Sequence, residues 1–184
     1  MELRVASHNA HKLREIGELL PGFTVVACDP DAEETEETFS GNALIKARAV
    51  AAIHRNCWVM ADDSGLEVEA LNGEPGVRSA RYAGEQCDTA ANNALLLEKL
   101  RGTENRRARF VCAVALIAPD GTEKVVEGVC PGRIADAPSG AGGFGYDPLF
   151  IPDGRDRSFA ELSAEEKNAM SHRGRALAAV KALF

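Results

Sequence analysis

The chain has 184 residues, 45% of them hydrophobic and only 5% aromatic, and its net charge is −7. This length fits one domain, or two lobes that share one sheet, and the hydrophobic share is sufficient for a core built mainly from Ala, Val, Leu and Ile. The acidic balance argues against binding of polymeric nucleic acid, because basic surfaces supply most of that affinity. A small anionic ligand is still compatible, since a few local cations can form a positive pocket on an acidic protein.

Cysteine usage and the lack of long apolar runs indicate a cytoplasmic protein. The five cysteines are widely spread, and no Cys-x-x-Cys occurs. An odd, scattered set argues against a disulfide framework or a zinc ribbon and favours reduced thiols. The first six residues are typical of a strand rather than a signal peptide, and no apolar run approaches the roughly 20 residues that span a membrane.

The chain opens with a strand, a polar turn and a helix. Residues 2–6 predict the strand, residues 7–12 form the turn, and apolar positions from Leu13 to Leu20 predict an amphipathic helix that ends at Pro21-Gly22. Backbone N–H groups at such a turn can bind phosphate. Lys12 lies in the first helical turn, where its charge opposes the helix dipole, so it either grips a ligand or is an ordinary surface lysine.

A second strand is predicted at residues 23–27, followed by six acidic residues among the nine from Asp29 to Glu37. A charge run of this kind is typical of a solvated loop, and the pattern alone cannot pick a metal ligand from it. Residues 40–55 predict a helix with an apolar face. Lys46 lies outside that face and could point to solvent or to a site.

The stretch Ala61-Asp62-Asp63-Ser64-Gly65 follows an apolar strand and precedes an alternating one. Two carboxylates at a strand end suit a metal or phosphate site, but Asp-Ser-Gly is also ordinary chemistry for a turn that closes a hairpin. Successive side chains of an extended chain point to opposite faces. One carboxylate is therefore expected to face the site while the other supports it.

The second half of the chain predicts a helix, a hairpin and a glycine-rich loop. Asp88 is a good N-cap for a helix, residues 107–118 and 123–129 predict a hairpin, and no long element is expected between residues 73 and 84. Residues 140–145 match Gly-x-Gly-x-x-Gly, but Pro148 follows closely and argues against a dinucleotide-binding helix. A loop with an exposed Phe144 and with Asp147 is better suited to flank a flat ring.

Ser163 and Glu166 have the spacing of a capping box, so a helix is expected to begin near Ala164. Lys167 would lie in its first turn. His172 and Arg173 lie about 140° or more around an unbroken helix from Lys167, unless Ser171 caps the chain again and bends it. A C-terminal helix is predicted after them.

These residues can supply what a nucleoside triphosphate requires, namely cations for the phosphates, a carboxylate for a metal ion and a stacking surface for the base. Several well-known enzyme classes are disfavoured because their motifs are missing. The chain has no Gly-x-x-x-x-Gly-Lys-Ser/Thr loop, no His-Glu-x-x-His and no Gly-x-Ser-x-Gly.

An ordered series of motifs closely resembles the inosine triphosphatase-like family of non-standard purine nucleoside triphosphate pyrophosphatases. The series runs nearly end to end and comprises Ser7-His8-Asn9-Ala10-His11-Lys12, Glu34-Thr35 with Thr38-Phe39, Asn42-Ala43 and Lys46-Ala47, Ala61 to Leu66, Gly76 to Tyr82, Gly143 to Pro148, and Glu161 to Gly174. A single motif of this kind would be weak, but six in order are specific.

The resemblance implies an α/β fold with a long twisted mixed sheet flanked by helices, two lobes in one nucleoside triphosphate pyrophosphatase domain over residues 1–184, and a central substrate cleft. It also implies a homodimer that binds no nucleic acid polymer. The implied reaction is Mg²⁺-dependent hydrolysis of ITP, dITP or XTP to the monophosphate and pyrophosphate, which removes these compounds from the nucleotide pool.

The resemblance further implies roles for individual residues. Asp63 is implied as the catalytic base and a metal ligand, and Glu34 as a second metal ligand. The implied substrate-binding residues are Ser7, His8, Asn9, Ala10, His11, Lys12, Lys46 and Ser64 for the triphosphate, and Phe144, Gly145, Tyr146, Asp147, Lys167, His172 and Arg173 for the rest of the nucleotide. His172 and Arg173 would read the 6-oxo edge of the purine.

Three positions depart from the family pattern. Glu36 stands where the family usually has Gly, Gly41 stands where it usually has Glu, and His8 stands where a small residue is commoner. The first two lie beside the predicted metal loop, and the third narrows the predicted phosphate loop. The departures at Glu36 and Gly41 leave open a nucleotide-binding regulator that has lost hydrolysis. A structural or interaction protein with merely polar loops is the third hypothesis.

Overall fold

The computed structural model describes residues 1–184 as a six-stranded mixed sheet with helices. The strands are β1 (Glu2–Ala6), β2 (Thr24–Cys28), β3 (Trp58–Val68), β4 (Arg107–Ile117), β5 (Glu123–Ile134) and β6 (Phe150–Pro152). The α-helices are α1 (Ala10–Leu19), α2 (Phe39–Ile53), α3 (Thr89–Lys99), α4 (Ala164–Met170) and α5 (His172–Lys181). The predicted α/β class and mixed sheet are confirmed.

The strand order in the sheet is β2-β1-β3-β4-β5-β6. Strand β1 is parallel to both β2 and β3, and β5 is antiparallel to β6. The parallel connections β1-α1-β2 and β2-α2-β3 run in opposite directions across the sheet. Because such crossovers are nearly always right-handed, they place α1 and α2 on opposite faces.

The chain divides into two compact units. Unit 1 comprises residues 1–63, 112–128 and 173–184, and unit 2 comprises residues 64–111 and 129–172. Each unit has its own buried apolar clusters. Strand β3 passes from unit 1 to unit 2 between Asp63 and Ser64, and β4 and β5 also contribute residues to both units.

Two strands are longer than predicted. The expectation that a strand ends at Ala61 is wrong, because β3 continues without interruption through Asp62-Asp63-Ser64-Gly65 to Val68. The alternative of a hairpin turn at these residues is equally wrong. Strand β5 extends to Ile134 because Gly132 and its neighbours pair with the short strand β6, and a Cβ at Gly132 would collide with the carbonyl oxygen of Ile151.

The predicted helix starts are confirmed by their caps. Asp88 accepts a hydrogen bond from Ala91 N at the start of α3, and Ser163 and Glu166 form a capping box at α4. Ser171 separates α4 from α5 with an extended backbone, φ −66° and ψ 160°. The chain therefore breaks at Ser171, which was one of the two alternatives left open, and Lys167 and Arg173 belong to different helices.

All five cysteines are free thiols, as expected, and Cys112 and Cys130 are buried. None of the helices is both long enough and apolar enough to cross a lipid bilayer.

Candidate active site

Strand β3 directs its two aspartates to opposite faces of the sheet. Met60 packs in a cluster with residues of α1, whereas Val59 and Ala61 pack in a cluster with residues of α2. Because side chains alternate along a strand, Asp62 follows Met60 to the α1 face and Asp63 follows Ala61 to the α2 face. The prediction that the two carboxylates have different tasks thus has a structural basis.

On the α1 face, Asp62 is the centre of a buried charge network in unit 1. Its Oδ2 lies 3.0 Å from Lys12 Nζ and 3.1 Å from Arg173 Nη2. The same guanidinium contacts Glu15 of α1 through Nη1. Only about 1% of the Asp62 and Arg173 side chains is exposed, so the charges compensate one another away from water.

The network keeps Asp62 ionised. Burial alone would favour the neutral acid, but the charges of Lys12 and Arg173 outweigh it and hold the pKa of Asp62 well below its usual range. Burial and the nearby Asp62 charge raise the pKa of the Cys112 thiol to about 12. Cys112 is therefore a neutral thiol beside the network, and its Sγ lies 3.9 Å from Asp62 Oδ2.

On the α2 face, Lys46 connects two carboxylates. Its Nζ lies 2.7 Å from Glu34 Oε1 and 3.6 Å from Asp63 Oδ1, and it donates a hydrogen bond of 2.8 Å to the backbone oxygen of Asp62. Lys46 is buried, which decides between the two orientations that the sequence left open in favour of a site. One of the six acids of the predicted acidic loop, Glu34, is thereby brought to β3.

The environment of Asp63 differs from that of its neighbour. Burial raises the pKa of Asp63, and although Lys46 opposes the rise, the Glu34 charge adds to it. The result is a carboxylate with a pKa above its ordinary value, which is what a general base for neutral pH requires. Two adjacent residues of one strand therefore differ in the direction of their pKa shifts.

Glu34 and Asp63 are the residues that could hold a divalent cation. They offer carboxylate oxygens, which are the donors preferred by Mg²⁺. No group of three His, Cys, Asp or Glu side chains converges in the structure. Mg²⁺ is commonly bound by one or two carboxylates together with substrate phosphates, so this donor set fits an ion that arrives with a nucleotide rather than a closed protein cage.

The predicted phosphate turn is ordered by Asn9. Asn9 Oδ1 accepts hydrogen bonds from the backbone N–H groups of His11 and Lys12, at 3.0 and 3.2 Å, and Ser7 Oγ accepts one from Asn9 N–H at 3.1 Å. Lys12 is not an ordinary surface lysine, because its charge is directed to Asp62. His8 is largely exposed and lies 3.0 Å from Asp29 Oδ1.

In unit 2 the glycine-rich loop is closed by Asp147. Asp147 Oδ2 accepts hydrogen bonds of 2.8 Å from both Phe144 N–H and Lys167 Nζ. Gly143 has φ +70°, and a Cβ there would collide with the Asp147 carboxylate. Only glycine therefore permits this closure. No helix follows the loop, so the rejection of a dinucleotide-binding turn is confirmed.

The prediction that Phe144 is exposed is wrong, because the ring is half-buried beneath a cation. Lys167 Nζ lies 4.8 Å from the centroid of the Phe144 ring. Tyr146 is buried, and its hydroxyl donates a hydrogen bond of 2.7 Å to Ser79 O, so its side chain anchors the loop. Asn93 of α3 also donates a hydrogen bond, 3.2 Å long, to Gly145 O.

The remaining predicted residues are Ser64, which lies within β3, and His172 and Arg173, which begin α5. Ser64 is the first unit 2 residue of β3 and is half-buried. His172 is buried and its ring stacks on Phe110 with 4.7 Å between centroids. Arg173 contacts Asp62 and Glu15 of unit 1.

Sequence reasoning missed Glu15, which is buried and pairs with Arg173. The available signal was its spacing of three residues from Lys12, which places both side chains on one face of α1. It also missed Asn42, whose buried side chain holds the backbone of Glu36. Nothing in the local pattern indicates that contact.

The comparison with known families decides the assignment of the chain. A model of the Ham1 family matches residues 3–183. The chain belongs to the Ham1 family. The match spans almost the whole sequence, and the resemblance indicated by the ordered motifs is confirmed.

Relatives within the Ham1 family are similar over nearly their full length. The dITP/XTP pyrophosphatase of Nocardia farcinica is 54% identical over 186 residues, which cover 94% of this chain and 89% of that protein. The dITP/XTP pyrophosphatase of an Exiguobacterium species is 51% identical over 189 residues, with 99% and 96% covered. The solved structure of the Staphylococcus aureus Ham1 protein superimposes with a TM-score of 0.89 at 45% identity and covers 100% of this chain and 97% of that one.

Proposed function

We propose that this protein hydrolyses non-standard purine nucleoside triphosphates, namely dITP, XTP and ITP, to the monophosphate and pyrophosphate. The observation that carries the proposal is identity of about half of all residues, over almost the whole chain, with relatives named dITP/XTP pyrophosphatase. The reaction is an attack of water that separates the α and β phosphates.

Asp63 acts as the general base. Its raised pKa makes it a more effective proton acceptor at neutral pH than an ordinary aspartate. It takes the proton of the attacking water, and Lys46, which lies 3.6 Å from its Oδ1, stabilises negative charge on the phosphate oxygens. Asp62 does not share this task, because its charge is already satisfied by Lys12 and Arg173.

A divalent cation, which we propose is Mg²⁺, would be held by Glu34 and Asp63. When bound, it supplies charge neutralisation for the phosphates and a lowered pKa for a coordinated water. Lys46 contacts both carboxylates, and its charge reduces their mutual repulsion.

The turn at residues 7–12, together with Lys46 and Ser64, binds the triphosphate. Asn9 caps α1 by accepting hydrogen bonds from the N–H groups of His11 and Lys12, so binding would require little ordering of the backbone. Lys12, whose Nζ lies 3.0 Å from Asp62 Oδ2, contributes its charge to the phosphates.

The loop of Phe144 to Asp147 with Lys167 binds the base, and His172 donates to the 6-oxo group. An amino group in place of the oxo group would leave that donor unmatched, which disfavours adenine nucleotides. Arg173, the next residue, is proposed to donate to the same purine edge. We further propose that the protein acts in the cytoplasm as a homodimer and does not bind nucleic acid polymers.

The proposal is tested by the product. Each nucleotide is incubated with Mg²⁺ and the protein, and orthophosphate is measured with and without added inorganic pyrophosphatase. Phosphate should appear from dITP, XTP and ITP only when the pyrophosphatase is present, and dATP should react far more slowly. The Asp63→Asn variant, purified in parallel, excludes a contaminating enzyme. Direct release of orthophosphate, or no turnover of any of the three, would refute the proposal.

A further inference from the structure

Gly41 occupies a helical position where glycine has no conformational advantage. It lies in the first turn of α2 and is not among the glycines with positive φ. Alanine is ordinarily preferred to glycine at a helical position. A Cβ at Gly41, however, would lie 2.7 Å from both Cβ and Cγ of Glu36 and 3.0 Å from Thr38 Oγ1. The stem of the Glu36 side chain fills the space in which a side chain at position 41 would begin.

Glu36 cannot easily withdraw from this contact. Its N–H donates a hydrogen bond of 3.0 Å to Asn42 Oδ1, and its carbonyl accepts one of 3.1 Å from Asn42 Nδ2. Asn42 is itself only 1% exposed. The clashing atoms are the first two carbons of the Glu36 side chain rather than its mobile end, so relief of a clash would require movement of the backbone.

The same segment carries Glu34. The loop is attached to α2 at two points, Glu36 to Asn42 and Glu34 to Lys46, and these two helix residues are four positions apart on one helix face. A displacement of Glu36 by a side chain at position 41 would therefore be transmitted over two residues to the Glu34 carboxylate.

We propose that Glu36 is a positioning residue for Glu34 and that it is sterically coupled to Gly41. The Glu36 stem takes the space in which a side chain at position 41 would begin. The functional part of the inference rests on the proposed function, because that function assigns Glu34 to the divalent cation.

The test is a double-mutant cycle of Gly41→Ala, Glu36→Gly and the combined variant. Gly17→Ala is the matched control, since Gly17 is also a helical glycine but has no atom within 4 Å of an added Cβ. In each variant the Mg²⁺ concentration for half-maximal dITP hydrolysis is measured. Amide hydrogen exchange of residues 34–38 is measured separately in protein without metal or nucleotide.

In the wild-type background, Gly41→Ala should raise the half-saturating Mg²⁺ concentration and accelerate loop exchange by about tenfold each. In the Glu36→Gly background, Gly41→Ala should alter the half-saturating Mg²⁺ concentration and the loop exchange rate by less than about twofold. Gly17→Ala should alter neither of these quantities. Equal effects of Gly41→Ala in the two backgrounds would overturn the coupling.

A fall in melting temperature with an unchanged Mg²⁺ requirement would overturn the positioning role. Failure of the wild-type protein to hydrolyse dITP would refute the proposed function. In that case the exchange measurements would still decide whether Glu36 and Gly41 are coupled.

Discussion

The two adjacent aspartates of β3 are expected to respond in opposite ways to substitution by asparagine. Asp62→Asn removes the negative charge that faces Lys12 at 3.0 Å and Arg173 at 3.1 Å. Asp63→Asn removes a carboxylate whose pKa is raised by burial. The first change should cost stability and the second should cost catalysis.

The stability loss for Asp62→Asn follows from burial of the network. Removal of one partner from a buried ion pair costs about 3–5 kcal/mol. We expect the lower end, about 3 kcal/mol, because Glu15 still neutralises Arg173 and the amide oxygen can still accept a hydrogen bond. For a chain of this length, about 3 kcal/mol corresponds to a fall of roughly 6–12 °C in melting temperature.

The pH of the measurement matters because the pKa of Asp62 is lowered. A carboxylate with a lowered pKa stabilises the folded state fully at pH values above its unfolded pKa of about 4, and this stabilisation is lost progressively as the pH falls from there through the lowered pKa. Melting curves at neutral pH therefore report the full difference between the wild type and Asp62→Asn.

Asp63→Asn should leave the melting temperature unchanged or raise it. Ionised Asp63 is disfavoured by burial, and Lys46 keeps two other partners, Glu34 and the Asp62 carbonyl. Turnover should fall by about 10²–10⁴-fold, the usual contribution of a general base.

The assay pairs melting curves from circular dichroism with pyrophosphate release. Glu123→Gln is the control, since it breaks a solvent-exposed pair with Arg48 and should change stability by less than about 0.5 kcal/mol. The reasoning would be refuted if Asp62→Asn melted like the control, or if Asp63→Asn lost as much stability as Asp62→Asn.

Three further predictions concern other parts of the chain. Because the pKa of Cys112 is raised to about 12, its thiol stays neutral at pH 8. A thiol reagent should therefore modify exposed Cys87 in the native protein and reach Cys112 only after unfolding. Rapid labelling of Cys112 in the native protein would contradict its burial. Ser163→Ala should lower the free energy of unfolding by about 1 kcal/mol through loss of the α4 cap, as measured in urea, and no change would indicate that the cap is not needed. Asn93→Ala should act mainly on KM for dITP, which should rise, and only slightly on the free energy of unfolding in urea, because it frees the Gly145 carbonyl at the base-binding loop. An unchanged KM would exclude a role of Asn93 in positioning that loop.

Several elements were predictable because their determinants are local. The caps at Asp88 and Ser163 and the break at Ser171 depend on residues within three or four positions along the chain, and the structure has each of them. The extension of β5 was not predictable, because it depends on pairing with the three-residue strand β6 about 20 residues later. Short strands carry little pattern of their own.

The path of β3 through Asp62 and Asp63 also depends on residues that are distant along the chain, and it was not predictable for that reason. Two acids in succession are typical of a loop, and the sequence does not display the cations that make their burial possible. Lys12 precedes Asp62 by 50 residues and Lys46 precedes Asp63 by 17, and the two lysines belong to different helices. Exposure of Phe144 was mispredicted for a similar reason, since the lysine above its ring comes from a separate helix.

The sequence by itself determined the family, the α/β class and the residue types available for phosphate and metal chemistry, because ordered motifs, caps and hydrophobic periods are all contained in short stretches of chain. Only the tertiary structure decided how the charges are distributed. Alternation along β3 and the placement of α1 and α2 on opposite faces assign Lys12 and Arg173 to Asp62 and leave Lys46 and Glu34 with Asp63. That division separates a carboxylate held permanently ionised from one whose pKa suits a base.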